Sequence, residues 1–304
     1  MTDITLPRRE GAARGIAWML LTGILFVCVT AIVRYLGSDM PAIEAAFIRY
    51  AVGLLLVAPV LLRIFRNPPT GEALKLYTAR GLIHGVAVML WFFAMARIPI
   101  AEVTAIGYTA PIFVTIGAAL FLGERLQMRR IMAVMAGLIG ACIILRPGFQ
   151  EIGLGQLSQV LAAPLFAASF ILAKKLTEKD DPVFIVGMLS IGCTITLLPG
   201  AILQWRTPTM EELFWLSMTA VFATAGHYTL TRAFQAAPIT VTQPISFLQL
   251  VWASLVGVTM FGEALDPFVL LGGAVIVAAA TYISHRELVA ARRDVTPPAP
   301  ATKV

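Results

Sequence analysis

The chain has 304 residues, of which 59% are hydrophobic and 13% are charged, and its mean hydropathy is +0.84. Soluble domains carry about 25% charged residues, so this composition excludes the ordinary soluble classes and predicts an all-α integral membrane protein. The net charge of +6 comes from basic residues in short loops. Such a distribution is typical of topology signals, and it excludes a nucleic-acid partner. Three cysteines lie in apolar runs without metal-ligand spacing, so we expect neither a metal site nor a cofactor.

Ten apolar segments follow one another along the chain, and each is long enough or nearly long enough to cross a bilayer, which takes about 20 residues per helix. They are 15–33, 41–62, 79–97, 98–122, 128–145, 155–173, 182–204, 212–235, 238–261 and 267–284. Segments 3 and 4 are separated at Pro99, and segments 8 and 9 at Pro238, because proline starts a helix well and continues one badly. Residues 1–14 are predicted to be a cytoplasmic N-terminus, and the proline-rich stretch 292–304 a disordered cytoplasmic tail.

Lysine and arginine residues set the predicted orientation. With the N-terminus inside, 18 of the 23 basic residues fall on the inner side, four fall on the outer side, and Arg49 lies within segment 2. A bias of this size favours cytoplasmic N- and C-termini in a multi-pass protein of the bacterial inner membrane.

The second half of the chain repeats the first. Phe26 corresponds to Phe166 at an offset of 140 residues, and Pro99 corresponds to Pro238 at an offset of 139. Further matched pairs are Gly15 with Gly155, Arg34 with Lys174, Gly123 with Gly262, and Glu124 with Glu263. Each half, 15–146 and 155–287, holds five segments. Because five is odd, the halves are predicted to enter the membrane in opposite orientations, as two inverted-topology repeats with a substrate site near the midplane.

Several short motifs, in the same order in both halves, give the chain a family resemblance over residues 14–287. They are Phe47-Ile48-Arg49-Tyr50, Pro99-Ile100-Ala101-Glu102, Tyr108-Thr109-Ala110-Pro111, Gly123-Glu124-Arg125, Leu230-Thr231-Arg232-Ala233-Phe234 and Phe261-Gly262-Glu263. In this the sequence resembles the ten-helix EamA-type members of the drug/metabolite transporter superfamily. The resemblance implies a transporter with a central cavity lined mainly by segments 1–4 and 6–9. It leaves the substrate open, and Ser246 stands where relatives with this pattern often carry an acidic residue.

Ionisable side chains inside apolar segments are costly and therefore usually face a cavity or a partner. Arg49 is a candidate for binding an anion or carbonyl, with a structural tie to helix carbonyls or to a carboxylate as the alternative. Glu102 is a candidate for proton coupling, for pairing with Arg49, or for binding a substrate donor. His84 and His227 are candidates for hydrogen bonding or proton relay, with satisfied packing as the alternative.

Polar and aromatic residues of segments 3, 4, 8 and 9 complete the candidate substrate-binding set. Thr242, Ser246 and Gln249 recur at spacings of four and three and so share one helix face. Aromatic side chains suit a planar solute, with lipid contact or packing as the alternative. The complete set is Arg49, Trp91, Glu102, Tyr108, His227, Tyr228, Gln243, Ser246 and Gln249. Pro111 and Pro244 are candidate hinges, because a proline inside a helix permits a kink.

The function that these features favour is secondary transport of a small metabolite by alternating access, with export of an amino acid or related metabolite as the first hypothesis. The alternative is uptake of a planar vitamin or cofactor such as riboflavin or S-adenosylmethionine. No hydrolytic, metal-binding or P-loop motif occurs in the sequence, so an enzyme is not expected. A non-transporting scaffold or receptor is the other class considered. The expected partners are a small-molecule substrate, the bilayer and a second copy in a possible homodimer.

Overall fold

The computed structural model describes residues 6–66, 68–110, 113, 128–147, 151–237, 242, 245–246 and 248–295, and all regular structure in these ranges is helical. This confirms the predicted all-α class for the described part of the chain. The helices are α1 (Leu6–Leu36), α2 (Ala42–Leu56), α3 (Ala58–Arg66), α4 (Gly71–Met95), α5 (Ile100–Gly107), α6 (Met128–Leu145), α7 (Leu154–Leu176), α8 (Pro182–Leu203), α9 (Met210–Ala236), α10 (Leu248–Phe261) and α11 (Pro267–Val295).

Four helical stretches in the described ranges are long and apolar enough to cross a bilayer. They are Ala13–Leu36, Gly71–Met95, Leu154–Leu176 and Pro182–Leu203. Three shorter apolar stretches, Met135–Leu145, Leu248–Phe261 and Pro267–Ala279, fall in predicted segments 5, 9 and 10. The chain is therefore rich in membrane-length apolar helices, as its composition predicts.

Predicted segment 2 is not one helix. The structure divides it at Val57 into α2 and α3, and α3 runs on to Arg66. Pro59 explains the division, because its nitrogen has no hydrogen to donate to the carbonyl four residues earlier. The amide of Val57 still donates to Gly53 O at 3.2 Å, and the amide of Val60 reaches only back to Val57 O at 2.8 Å.

The break between segments 3 and 4 lies where the proline predicts it. Helix α4 ends at Met95, and α5 begins at Ile100 with Pro99 as its N-cap. Segment 4 is predicted to run to residue 122 with a candidate hinge at Pro111, and in the structure α5 ends at Gly107 and a turn follows. Residue 111 is a proline and lacks the amide hydrogen that would bond the carbonyl of Gly107.

The first and last helices of the chain are longer than predicted. Helix α1 begins at Leu6, inside the stretch 1–14 predicted to precede the first segment. Helix α11 continues to Val295, beyond the predicted end at 284 and into the first residues of the predicted disordered tail. Residues 287–293 are mostly good helix formers, and prolines begin only at 297.

The packing is symmetric under exchange of the two halves. Helix α1 packs on α9, and its counterpart α7 packs on α4. Two counterparts also pack on each other, α2 on α8 and α6 on α11. In the second of these pairs Gly140 meets Ile276, while Arg146 binds Asp266, so the two helices run antiparallel. When two repeat-equivalent helices pack antiparallel, the two-fold axis that relates them is perpendicular to both helices.

Glycine permits the closest helix approach, between α4 and α8. A Cβ built on Gly81 would lie 2.7 Å from the Cα of Gly192, and one built on Gly192 would lie 2.8 Å from the Cα of Gly81. Small residues at such a crossing allow the backbones of neighbouring helices to pack directly, which is a common device in membrane bundles.

Polar contacts tie the connection between α8 and α9 to α2. The Arg206 guanidinium binds Glu212 at 2.6 Å, and this hydrogen bond raises the pKa of Arg206 above its ordinary value. The Arg206 backbone amide donates to Glu44 at 3.0 Å. Glu44 is fully buried, although its place near the end of segment 2 predicts a solvated side chain. The connection covers it, and residues 162 positions apart meet here.

Candidate functional site

A cavity of about 1010 Å³, its mouth included, lies between the two halves. Both halves line it through corresponding segments: 1, 3 and 4 in the first half and 6, 8 and 9 in the second. The lining residues are Met19, Thr22, Gly23, Phe26, Thr30, His84, Trp91, Val103, Thr104, Gly107, Tyr108 and Ala110, together with Gln159, Phe166, Phe170, His227, Leu230, Phe234, Ser246 and Gln249. Segments 2 and 7, which the resemblance also implied, contribute no lining residue in the described ranges.

Five aromatic and imidazole rings form a closed circuit in the wall of this cavity, here called the five-ring cluster. In order around the circuit they are Phe26, His227, His84, Phe166 and Trp91. Successive ring centroids are 5.3, 5.0, 5.2 and 5.8 Å apart, and the circuit closes at 6.2 Å between Trp91 and Phe26. The contacts are edge-to-face, the arrangement that ring quadrupoles favour.

The two phenylalanines of the cluster are repeat equivalents, since Phe26 corresponds to Phe166 at offset 140. Each packs its ring against one histidine and against Trp91. The symmetry of the fold thus presents one phenylalanine from each half to the same volume. A flat solute in this volume would contact rings from both halves.

The two histidines carry unused hydrogen-bonding capacity. The Nδ1 of His84 is 2.8 Å from Ser169 Oγ, while its Nε2 is buried without a partner among the described residues, as is the Nδ1 of His227. Both side chains are buried, at 0% and 5% exposure, and both line the cavity. Buried polar atoms are normally hydrogen-bonded, so these two nitrogens are available to the polar edge of a solute once a side-chain movement exposes them to the cavity.

Other polar side chains of the wall are largely occupied within the protein. Gln159 Nε2 donates to Val103 O at 3.0 Å, and the Tyr108 hydroxyl donates to Ser246 O at 3.0 Å. Thr104 donates to the carbonyl one turn earlier. These contacts hold segment 4 against segments 6 and 9 and define the shape of the wall. The Gln159 carbonyl oxygen has no partner in the described ranges and remains an acceptor.

Five of the nine candidate binding residues line the cavity: Trp91, Tyr108, His227, Ser246 and Gln249. Trp91 and His227 belong to the five-ring cluster, and the Tyr108 hydroxyl donates to the backbone carbonyl of Ser246. Thr242, predicted on the same face as Ser246, is fully buried. Gln243 and the candidate hinges Pro111 and Pro244 lie outside the described residues.

Three candidates lie away from the cavity wall. Arg49 is buried in α2, with its guanidinium 4.0 Å from the ring of Tyr50. Glu102 accepts from Gln156 at 3.2 Å, so the predicted pairing of Glu102 with Arg49 is not present. Tyr228 faces a separate groove and packs edge-on against Trp18, because it lies next to His227 on α9 and so points to another face of the helix.

An ion pair lies beyond the cavity at its predicted outer end. Arg34 binds Glu263 at 2.9 Å, and the second carboxylate oxygen of Glu263 accepts from the Ile100 amide at 3.0 Å. Arg34 and Ile100 each stand one turn beyond a lining threonine, Thr30 and Thr104. Glu263 thereby joins the ends of predicted segments 1, 4 and 9 in a contact here called the outer closure.

Sequence reasoning missed most of the apolar wall. It singled out His84 but left it outside the candidate set, and it passed over Phe26, Phe166 and Phe170. One signal was available, because Phe26 and Phe166 are matched in the repeat and apolar matched pairs point to one symmetric surface. Nothing local distinguishes these phenylalanines from the many that face lipid.

Comparison with known proteins identifies the chain. The model of the EamA-like transporter family matches residues 13–146 and again 153–285. The chain belongs to the EamA-like transporter family. The match confirms the resemblance, and the EamA family gives the protein its class: it is a membrane transporter of the drug/metabolite type, not an enzyme, and it acts on a small-molecule substrate.

Named relatives span nearly the whole EamA chain. A riboflavin transporter of Rhizobium johnstonii is 31% identical, over 91% of this chain and 93% of its own length. A riboflavin transporter of Vibrio cholerae is 29% identical, over 92% and 96%. An S-adenosylmethionine uptake transporter of Rickettsia bellii is 27% identical, over 90% and 94%. A solved crystal structure shares the fold with a TM-score of 0.56 and 16% identity, over 95% of this chain and all of its own.

Proposed function

We propose that this EamA protein is a secondary transporter that takes up a flat heterocyclic metabolite of the riboflavin type. The observation that carries the proposal is the five-ring cluster, which lines a cavity shared by the two halves and offers aromatic surface beside two unpartnered histidine nitrogens. Aromatic side chains stack on planar solutes at a gain of about 1–3 kcal/mol per ring in comparable nucleobase sites.

Uptake of a planar vitamin or cofactor replaces amino-acid export as the leading hypothesis. Export of an amino acid finds no support among the named relatives, whereas riboflavin and S-adenosylmethionine transporters both match over about nine tenths of the chain. An amino-acid site would also need partners for an ammonium and a carboxylate. None of the cavity-lining residues in the described ranges is acidic.

We further propose that the chain crosses a bacterial inner membrane ten times, as two inverted five-helix repeats with both termini in the cytoplasm. The symmetric packing and the antiparallel contact of α6 with α11 support inversion, and the 18-to-4 distribution of basic residues supports the orientation. In such a frame the cavity lies near the midplane, and alternating access opens it to each side in turn. A homodimer stays a prediction.

Uptake by the purified full-length protein in proteoliposomes tests the function. Labelled riboflavin should accumulate inside the vesicles with saturable kinetics and should exchange with riboflavin loaded on the inside. Vesicles without protein give the background. Flux equal to that background for riboflavin and for other flat heterocycles, with the protein folded, would overturn the proposal. Labelling of single cysteines at residues 3 and 303 from each side of a spheroplast tests the orientation of the termini.

A further inference from the structure

The strongest unexplained feature of the molecule is a pair of buried arginines without counter-ions. Arg49 on α2 and Arg80 on α4 are 2% and 1% exposed. The Nη1 of Arg49 and the Nε of Arg80 have no hydrogen-bond partner among the described residues, and neither side chain forms an ion pair in those ranges. Buried charges are normally paired, so two unpaired guanidinium groups leave a net positive charge inside the bundle.

This positive charge lies beside the cavity. Arg80 stands one helical turn before His84, which lines the cavity, a rise of about 6 Å along the helix. Helix α2, which carries Arg49, packs against α4, α8 and α9. Both charges therefore lie on helices that pack around the five-ring cluster.

The predicted segments offer no negative charge at the depth of Arg49, and at the inner end the Asp180 carboxylate, in the loop beyond the segments, is bonded by the Tyr77 hydroxyl at 2.8 Å. In the ten predicted segments the acidic residues are Glu44, Glu102 and Glu212, all within five residues of a predicted outer end. Glu44 and Glu102 are bonded to a backbone amide and to Gln156. At the opposite end the basic Lys174 donates to Phe234 O at 2.6 Å, and Phe234 lines the cavity.

We propose, on the basis of the proposed uptake function, that the buried Arg49–Arg80 pair makes the cavity select uncharged or anionic flat heterocycles and reject organic cations. Riboflavin, which is uncharged, fits this class. S-adenosylmethionine, which carries a sulfonium cation, does not.

Aromatic rings work in the opposite direction, because a cation over a ring face is attracted by it. One such contact strengthens binding roughly 2- to 30-fold. A unit charge about 10 Å away at an effective dielectric constant near 20 weakens the binding of a cation by on the order of ten-fold. Two arginines act together, and no carboxylate lines the cavity in the described ranges, so the repulsion outweighs a single ring contact.

A matched pair of competitors isolates the charge. S-adenosylmethionine and S-adenosylhomocysteine share the adenosine and amino-acid parts and differ by one methyl group and the sulfonium charge. Each is added to proteoliposomes of the full-length protein during uptake of labelled riboflavin. We expect the thioether to inhibit at a concentration at least ten-fold lower than the sulfonium does. Equal inhibition by the two compounds, or stronger inhibition by the sulfonium, would overturn the proposal.

A charge-introducing variant and its control complete the test. Gln249→Glu places a carboxylate in the cavity wall without changing the side-chain shape, and it should lower the concentration of S-adenosylmethionine needed for inhibition at least five-fold. Gln204→Glu makes the same change on an exposed residue outside the cavity and should leave it unaltered. An unchanged selectivity in Gln249→Glu would count against the proposal, as would absence of inhibition by both compounds in every variant.

Failure of the uptake function gives a different result from failure of the selectivity. Direct uptake of labelled S-adenosylmethionine is measured alongside riboflavin. Robust uptake of the sulfonium by the unmodified protein would reject the selectivity while leaving uptake of a flat heterocycle in place. Absence of flux for both compounds would reject the proposed function, and equilibrium binding of the same pair would then still measure the selectivity.

Discussion

Replacing one phenylalanine of the five-ring cluster by leucine tests whether the solute stacks there. Phe166→Leu keeps the side chain apolar but removes the ring that contacts His84 at 5.2 Å and Trp91 at 5.8 Å. Stacking between an aromatic side chain and a nucleobase contributes about 1–3 kcal/mol. Leucine retains part of the apolar contact, so we expect a loss of about 1–2 kcal/mol, which raises KM for riboflavin about 5- to 30-fold.

The same substitution at the repeat-equivalent position sharpens the test. Phe26→Leu should raise KM by a similar factor, because the two rings face the same volume from opposite halves. Their effects on stability should differ. Among the described residues, Phe166 contacts three rings, including a stacked contact with Phe170 at 6.0 Å, whereas Phe26 contacts two. Because each ring pair contributes about 0.5–1.5 kcal/mol, Phe166→Leu should lower the melting temperature in detergent further than Phe26→Leu does.

Riboflavin uptake by proteoliposomes provides KM, and thermal unfolding of the same preparations separates binding from folding. Phe214→Leu is the control, since Phe214 is 55% exposed and packs only on Trp215 among the described rings. A KM for Phe166→Leu within two-fold of that control, in a folded protein, would refute the placement of the solute in the five-ring cluster.

Three further substitutions test the histidines, the outer closure and the helix crossing. His227→Phe keeps a ring but removes the unpartnered nitrogen, so KM for riboflavin should rise roughly 2- to 10-fold, the worth of one hydrogen bond; an unchanged KM would exclude His227 from solute binding. Glu263→Gln removes an ion pair that is only partly buried and should lower the stability by under about 1 kcal/mol. It should nevertheless speed the labelling of a Thr30→Cys variant by an impermeant maleimide added from outside. Unaltered labelling would rule out a closing role for Glu263. Gly81→Ala forces a Cβ to within 2.7 Å of the α8 backbone and should destabilise the folded protein by about 1–3 kcal/mol. The control Gly23→Ala should not, because its Cβ meets only an ordinary contact at 3.6 Å. Equal melting temperatures for the two variants would contradict the close approach of α4 and α8.

Local features of the sequence predict the helices well and the site only in part. The break at Pro99 follows from the chemistry of one residue, and α5 does begin directly after it. Pro59 also lacks an amide hydrogen, but the apolar sequence continues on both sides of it, so the pattern predicts one segment where the structure divides at Val57. Glu44 is harder still, because its burial depends on Arg206, which lies 162 residues later in the chain.

The five-ring cluster could not be predicted from local pattern, because its members come from four helices in both halves. The repeat predicts that Phe26 and Phe166 occupy equivalent places, and nothing more. The histidines are not equivalent, since at offset 139 His84 aligns with Ala223 and His227 aligns with Val88. They meet at 5.0 Å although α4 and α9 are not among the closely packed helix pairs, so both side chains reach into the space between the two helices, which is a property of the packing.

The packing also indicates which parts of the protein move together. The most extensive contacts join helices of different halves, α1 with α9 and α4 with α7, while α1 touches α4, and α7 touches α9, only sparsely. The cavity lies between these two helix pairs, α1 with α9 and α4 with α7, here called the crossed pairs because each joins helices of different repeats. Two contacts of the five-ring cluster, Phe26 with Trp91 and His227 with His84, bridge them. Alternating access should therefore move one crossed pair against the other, rather than the first repeat against the second.

Two cleavable crosslinks at the same end of the protein distinguish these motions. Tyr35 and Trp215 are in contact within one crossed pair, with ring centroids 5.4 Å apart, although they belong to different repeats. Arg34 donates to Ala96 O at 3.4 Å, which joins the two crossed pairs within one repeat. If the crossed pairs move, a crosslink between cysteines at 34 and 96 should arrest riboflavin uptake until it is cleaved, and one between 35 and 215 should leave uptake intact. The reverse pattern would mean that the repeats themselves are the moving units, because only the crosslink between 35 and 215 would then join parts that must separate.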